Sequence, residues 1–252
     1  MTLTNIFYQN HFFSISYYTL CFLLALISIF LIAHYNKKSF GLSSQTVTEL
    51  ALILVASGLL GGRIGHILFY DWAYFSARPW EVFALWQGGL ASFGAFALGG
   101  VGLYIYSGKR DWLLYCDFVA LLVPIAIFFV RIGNFFNHEI VGKNFYDLLP
   151  TMLVSSGGKV ERIVPIALFE ALFCGVFLFV FLMVVYRKLP RGMLTVYFLF
   201  GYSIMRFFLE FFKLDEKIAW GLNISQFFSW VLLIWSIVLY ARVKKTKSLH
   251  SK

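Results

Sequence analysis

The chain is divided into long apolar runs, each about the length of a bilayer crossing, with most of its basic residues gathered in the short stretches between them. A helix needs ~20 mostly apolar residues to cross the hydrocarbon, and it satisfies its own backbone there without a partner. Seven segments qualify: Phe13–His34, Val47–Phe69, Leu90–Tyr106, Trp112–Val130, Ile163–Tyr186, Gly192–Phe212 and Leu222–Ala241. The sequence therefore predicts an all-α, polytopic membrane protein of about seven transmembrane helices, organised as a single integral membrane domain over residues 1–252. Only 13% of the residues are charged. A water-soluble domain carries roughly 25%, so a soluble globule is excluded.

The net charge of +9 does not point to nucleic acid, because the basic residues form no single face. With the N-terminus outside, the inner stretches hold twelve Lys and Arg and the outer ones six. Short basic loops stay in the cytoplasm, which predicts an outside N-terminus and a cytoplasmic C-terminus. The tail Arg242–Lys252 is expected against anionic headgroups. No Lys or Arg precedes the first run, so it is expected to persist as a helix rather than a cleaved signal. Cys21, Cys116 and Cys174 lie singly in apolar runs and read as small buried hydrophobes, with no metal spacing. The aromatic stretch Asp71–Gly89 suits a segment lying in the interface, and Asn134–Arg162 contains too many turn residues for one helix.

Chemistry is sought among charges inside the apolar runs, where each costs roughly 2.5–3.5 kcal/mol on insertion scales. Arg63 sits in Gly61-Gly-Arg-Ile-Gly65-His66, whose glycines permit close approach of a helix or headgroup; a snorkelling charge is the alternative. Arg131, Asn134 and His138 share a face if the fourth helix continues that far. A guanidinium fork with an amide beside it fits a phosphate headgroup, although a polar helix end reads similarly. Tyr202, Arg206 and Glu210 form one stripe on the sixth helix, fit for a site or for an interhelical salt bridge. Asn223, Ser225, Gln226 and Ser229 read mainly as ties between helices. Glu170, after Pro165, is a further buried carboxylate whose partner the sequence does not name.

Arg131-Ile-Gly-Asn134-Phe-Phe-Asn137-His-Glu139-Ile-Val-Gly142 resembles the R-x-G-N-x-x-N-x-E-x-x-G motif of the bacterial prolipoprotein diacylglyceryl transferases at every fixed position. Other runs are similar in order along nearly the whole chain: Ser16–Leu20, Gly61–Tyr70, Trp86–Leu90, and Tyr202, Arg206 and Glu210-Phe-Phe-Lys213, followed by Gln226 and Ser229. The resemblance implies a seven-helix bundle with a small outer-side head in the bacterial plasma (inner) membrane. It implies a transferase of lipoprotein biosynthesis that moves the diacylglyceryl group of phosphatidylglycerol onto the lipobox cysteine thiol of a preprolipoprotein signal peptide. Glycerol-1-phosphate is the other product, and no metal or soluble cofactor is implied.

On that resemblance Arg131 and Arg206 clamp the phosphate, and Asn134 and Glu139 hold the headgroup glycerol. Tyr18 and Tyr202 orient lipid or phosphate, Glu210 fixes the Arg206 rotamer, and Gly142 and Arg63 join the phosphatidylglycerol-binding positions. Cationic groups against the leaving phosphate are the expected source of rate. The chain departs from the family at Phe93, where the family carries a histidine, at Ala167 in place of Gln, at Lys213 in place of Arg, and at Ser225 in place of Gly. Phe93 accepts no proton, and the attacking thiol must lose one. His138, Glu139 and His66 are the alternative bases. A catalytically idle homologue that binds phospholipid or signal peptide stays open as a second reading. A small-molecule transporter is a third, disfavoured by the absence of a repeat and by charges lying at the outer edge.

Overall fold

The computed structural model describes residues 6–9, 14–85, 89–137, 140, 142, 152–156, 159–213 and 220–250. Among these, six helices are long and apolar enough to cross a membrane: Tyr17–Phe40, Ser44–Phe69, Asp111–Phe136, Ile166–Lys188, Met193–Phe212 and Ile224–Lys245. The third segment expected from sequence, Leu90–Tyr106, forms the first limb of helix α4 (Ser92–Phe136), which is broken at Gly108 (φ 61, ψ −169). Glycine reaches that conformation without a Cβ penalty. Large apolar side chains stand uncovered along the helices, with Leu52 66% and Val184 66% exposed. Hydrocarbon accommodates such faces and water does not. The chain is a multi-pass membrane protein.

Two compact units make up the chain, residues 34–118 and residues 1–33 with 119–252. The 34–118 unit holds a 3-10 turn Lys37–Phe40, α2 (Ser44–Phe69), α3 (Trp72–Ala77), a 3-10 turn Pro79–Phe83 and the first limb of α4. Ser43 caps α2 by accepting the Thr46 amide at 3.0 Å. Gly61, Gly65 and Gly94 let α2 and α4 cross backbone to backbone; a Cβ on Gly61 or Gly94 would collide with the carbonyl opposite. Leu54 and Ser57 of α2 sit against Gly99 and Gly102, which continues the same seam.

The other unit begins with the hairpin of β1 (Ile6–Gln9) and β2 (Ser14–Ser16). That pairing delays α1 (Tyr17–Asn36) past the expected start at Phe13, and Ser16 Oγ accepts the Thr19 amide at 3.1 Å to cap it. The second limb of α4 runs through Arg131 to Phe136, beyond the expected end at Val130. Within the Asn134–Arg162 connection, β3 (Met152–Ser156) and β4 (Lys159–Ile163) form an antiparallel hairpin, a small appendage on a helical body. Pro165 then starts α5 (Ile166–Glu170). A residue before proline is disfavoured in the helical region, so Val164 belongs with the strand end rather than the helix. A π-helical stretch Ala171–Phe177 leads into α6 (Leu178–Val185). Helix α7 (Met193–Leu209) packs along α8 (Ile224–His250) and also against α5 and α6. Half of its apolar window is buried, more than in α8, which makes it the inner helix of this unit.

Candidate active site

Five charged side chains converge within the unit of residues 1–33 and 119–252. Glu170 is 1% exposed and meets three cations: Arg131 Nε at 2.5 Å from Oε2, and Arg206 Nη1 at 2.5 Å and Lys213 Nζ at 2.8 Å from Oε1. Glu210 is fully buried and takes Arg206 Nε at 3.3 Å and Lys213 Nζ at 3.0 Å on its Oε2. The two arginines proposed from sequence as a pair therefore share one carboxylate.

Local structure explains the convergence. A Cβ on Gly175 would press into Phe128, so the π-helical stretch and α4 touch there. Arg131 lies one turn beyond Phe128, and Glu170 lies five residues before Gly175, so the crossing sets the two opposite each other. π segments are rare and frequently accompany functional sites. Arg206 and Glu210 are one turn apart at the end of α7, with Tyr202 buried a turn earlier and stacked on Phe198 at 5.7 Å. Lys213 follows a 3-10 turn, and its backbone bridges Gly142, which also bridges Val164. A Cβ on Gly142 would meet Val164 Cβ at 2.9 Å, so only glycine lets these three segments meet.

Around this core, Arg131 Nη1 donates to Asn134 Oδ1 at 3.1 Å. Tyr18 lies against Gly133, and Tyr17 stacks on Phe136 at 4.7 Å, which fastens the start of α1 to the end of α4. Asn223 Nδ2 donates to Glu210 Oε1 at 3.3 Å. Asn223 and Gln226 also cap α8 reciprocally, each side chain accepting the other's amide at 3.0 Å, as in a capping box. Gln226 Nε2 reaches the Phe207 carbonyl at 3.4 Å. These two polar residues tie helices, as the sequence suggested, and Asn223 additionally holds Glu210.

Charge decides what such a cluster receives. Three cations meet two carboxylates among these ion pairs, an excess of one positive charge. An excess buried charge is costly until an opposite charge joins it. Arg131 and Arg206 keep 14% and 13% of their side chains exposed against 1% for Glu170 and none for Glu210, so the carboxylates are the more deeply buried members of the cluster. Burial, reinforced by Arg206, pushes the Lys213 ammonium below the usual lysine range, while Glu170 and Glu210 oppose the change. An anion arriving here favours the charged amine.

Arg63 lies in the 34–118 unit and is 4% exposed. Its Nε donates to the Val82 carbonyl at 2.9 Å, and its Nη2 to those of Glu81 at 2.6 Å and Ala84 at 3.2 Å, with its guanidinium over the Phe75 ring. It thus holds the turn of residues 79–84, from which Trp80 projects 84% exposed. Phe93 packs edge-on to Phe69 at 5.2 Å, near Tyr70. Glu139 and His138 lie outside the described residues. Sequence reasoning left Glu170 without partners and recorded Lys213 only as a substitution. Extending the stripe of Tyr202, Arg206 and Glu210 by one more turn reaches Lys213 and would have found it.

The family model described as prolipoprotein diacylglyceryl transferase matches residues 5–242 of this chain. A protein of Idiomarina loihiensis is 35% identical over 235 residues, covering 88% of this chain and 87% of its own length. One of Dechloromonas aromatica is 31% identical over 246 residues, 94% of each chain. One of Nitratidesulfovibrio vulgaris is 39% identical over 174 residues, 67% of this chain and 65% of that one. All three relatives are described as phosphatidylglycerol--prolipoprotein diacylglyceryl transferases.

Proposed function

The chain belongs to the prolipoprotein diacylglyceryl transferase family, and on that premise we propose that it transfers the diacylglyceryl group of phosphatidylglycerol to a prolipoprotein. The observation that carries the assignment to these residues is the net-positive cluster in which Arg131 and Arg206 flank Glu170. Phosphatidylglycerol brings one negative phosphate, which offsets that excess. The acceptor is the thiol of the lipobox cysteine in the signal peptide.

The sulfur attacks the glyceryl carbon that bears the phosphate. A C–S bond forms, the C–O bond breaks, and its electron pair leaves on the phosphate oxygen as glycerol-1-phosphate. Charge on the phosphate grows along this path, and fixed guanidinium groups in a dry site stabilise it without reorganising. Arg131 and Arg206 are the phosphate clamp. Glu170 and Glu210 hold their rotamers, with Asn134 and Tyr202 alongside. Glu139 and Gly142 belong to the headgroup site, and Tyr18 to its lipid side. Arg63, a phosphatidylglycerol-binding position on the resemblance, acts within its own unit by organising the turn of residues 79–84.

The outer face of the bacterial plasma membrane suits this site. In the proposed orientation the start of α5 and the end of α7 face outward, because the connection Arg187–Arg191 and the stretch from Arg242, at the opposite ends of α6, α7 and α8, are basic and are assigned to the cytoplasm. The purified full-length protein in phosphatidylglycerol vesicles, given a prolipoprotein with an intact lipobox, is expected to add one diacylglyceryl group, read by mass, with stoichiometric glycerol phosphate. Retained lipid binding with no mass gain would establish the idle-homologue reading that Phe93 raises.

A further inference from the structure

A phosphate clamp needs positive charge left over once its own carboxylates are satisfied. We propose that Lys213 provides for this as a positioning residue: by closing a ring of alternating charges with Glu170, Arg206 and Glu210, it leaves Arg131 uncompensated for the lipid phosphate. The inference rests on the clamp reading above and deepens it.

All five side chains belong to the unit of residues 1–33 and 119–252. Glu170 Oε1 takes Arg206 Nη1 at 2.5 Å and Lys213 Nζ at 2.8 Å. Glu210 Oε2 takes Arg206 Nε at 3.3 Å and Lys213 Nζ at 3.0 Å. Arg206 and Lys213 thus each span both carboxylates, and the four groups close a ring whose charges sum to zero. Arg131 stands outside that ring, on the other oxygen of Glu170. Without the lysine charge, two arginines would face two carboxylates with nothing in excess. A phosphate would then enter a balanced, buried cluster as a surplus anion, which is costly.

The lysine is held in place by its backbone as well as by its charge. It is 3% exposed, its amide donates to the Glu210 carbonyl at 3.3 Å, and its backbone bridges Gly142. An ammonium is a compact point charge with three rotatable donors, so it meets two carboxylates from one position. Unlike a guanidinium, it can lose its proton. The charged and titratable groups facing it are Glu170 of α5, Glu210 of the 3-10 turn, Arg206 of α7, Arg131 of α4 and the buried thiol of Cys174 on the π-helical stretch. Burial, then Arg206 and Arg131, favour the neutral amine; the two carboxylates favour the charged one, and the balance lies below the usual lysine range. Bound phosphate favours the charged amine. Affinity for phosphate is therefore fully present while free Lys213 is protonated and is lost as pH rises through its titration.

Equilibrium binding of dioctanoyl phosphatidylglycerol to the full-length protein in detergent, read by calorimetry, tests this with no acceptor peptide present. A phosphodiester stays singly negative across the neutral and alkaline range, so any pH dependence belongs to the protein. At about pH 10.5 more than half of free Lys213 has lost its proton, and the parent is expected to bind more than about twofold more weakly than at about pH 7.5. Lys213→Met is expected to bind at least about tenfold more weakly than the parent at about pH 7.5. Lys213→Arg, whose charge does not titrate, is expected to regain most of that loss and to stay flat within about 1.3-fold up to about pH 10.5. A parent whose affinity changes by about twofold or less overturns the inference. So does a Lys213→Arg protein that weakens in step with the parent, because another group then titrates, or a Lys213→Met protein that binds as the parent does. If Lys213→Met fails to fold, the pH series of the parent and Lys213→Arg decides the question. A parent that binds no phosphatidylglycerol sinks the clamp reading together with the inference, whereas tight binding indifferent to Lys213 sinks the inference alone.

Discussion

Glu170→Gln isolates the contact on which the site is built. The carboxylate is 1% exposed and holds Arg131, Arg206 and Lys213 at 2.5, 2.5 and 2.8 Å. At an effective dielectric of about 20, one close ion pair is worth roughly 4 kcal/mol in Coulomb terms. Part of that is already offset by desolvation, so removing one partner of a buried pair costs about 3–5 kcal/mol net. Glutamine keeps one carbonyl oxygen for a single guanidinium and strands the rest, which places the expected loss near 3 kcal/mol. Reversible unfolding of the protein in mixed micelles titrated with SDS reads it directly. A cycle with Arg131→Gln should show coupling of about 0.5–3 kcal/mol, the double variant recovering part of the loss because the unpaired charge goes too. Unfolding within about 0.5 kcal/mol of the parent, or additive single losses, would refute the reasoning that this carboxylate organises the cations.

Arg131→Lys and Arg206→Lys keep a charge but lose the planar fork, so transfer should fall about 10²–10³-fold while unfolding midpoints stay near the parent, read by mass spectrometry and SDS titration. Gly94→Val would drive methyl groups into the Gly61 carbonyl; a loss of at least about 1–3 kcal/mol is expected, seen as a lower thermal aggregation midpoint in detergent. Asn223→Ala removes the α8 cap and a donor to Glu210, costing about 1 kcal/mol for the cap alone and lowering transfer through the slackened carboxylate.

The membrane-spanning segments were legible because hydrocarbon demands length and apolarity, and both are written locally in the chain. Their ends were less so. Phe13 looked helical by its neighbours, yet Ser14–Ser16 pairs with Ile6–Gln9, a contact that no hydropathy window contains. Val130 looked like an end because Arg131 follows, but buried partners make the charge tolerable and α4 continues to Phe136. The site was half legible for the same reason. Arg206 and Glu210 share a helix, so spacing brings them together, whereas Glu170 meets Arg131 only through the crossing at Gly175 and Phe128. For Arg63 the sequence permitted either a headgroup or the interface, and backbone carbonyls from residues 81, 82 and 84 take its donors.

The widened turn at Ala171–Phe177 makes this helix sensitive to length in a way that its lipid neighbours would not reveal. Each residue of a regular helix advances the side chains by roughly 100° around the axis. Deleting a single residue between Glu170 and Gly175 would leave a segment still ample to traverse the bilayer, yet swing Glu170 toward the fatty acyl chains. Descendants of this chain are therefore free to exchange one greasy side chain for another in that stretch, but not to lose or gain a position.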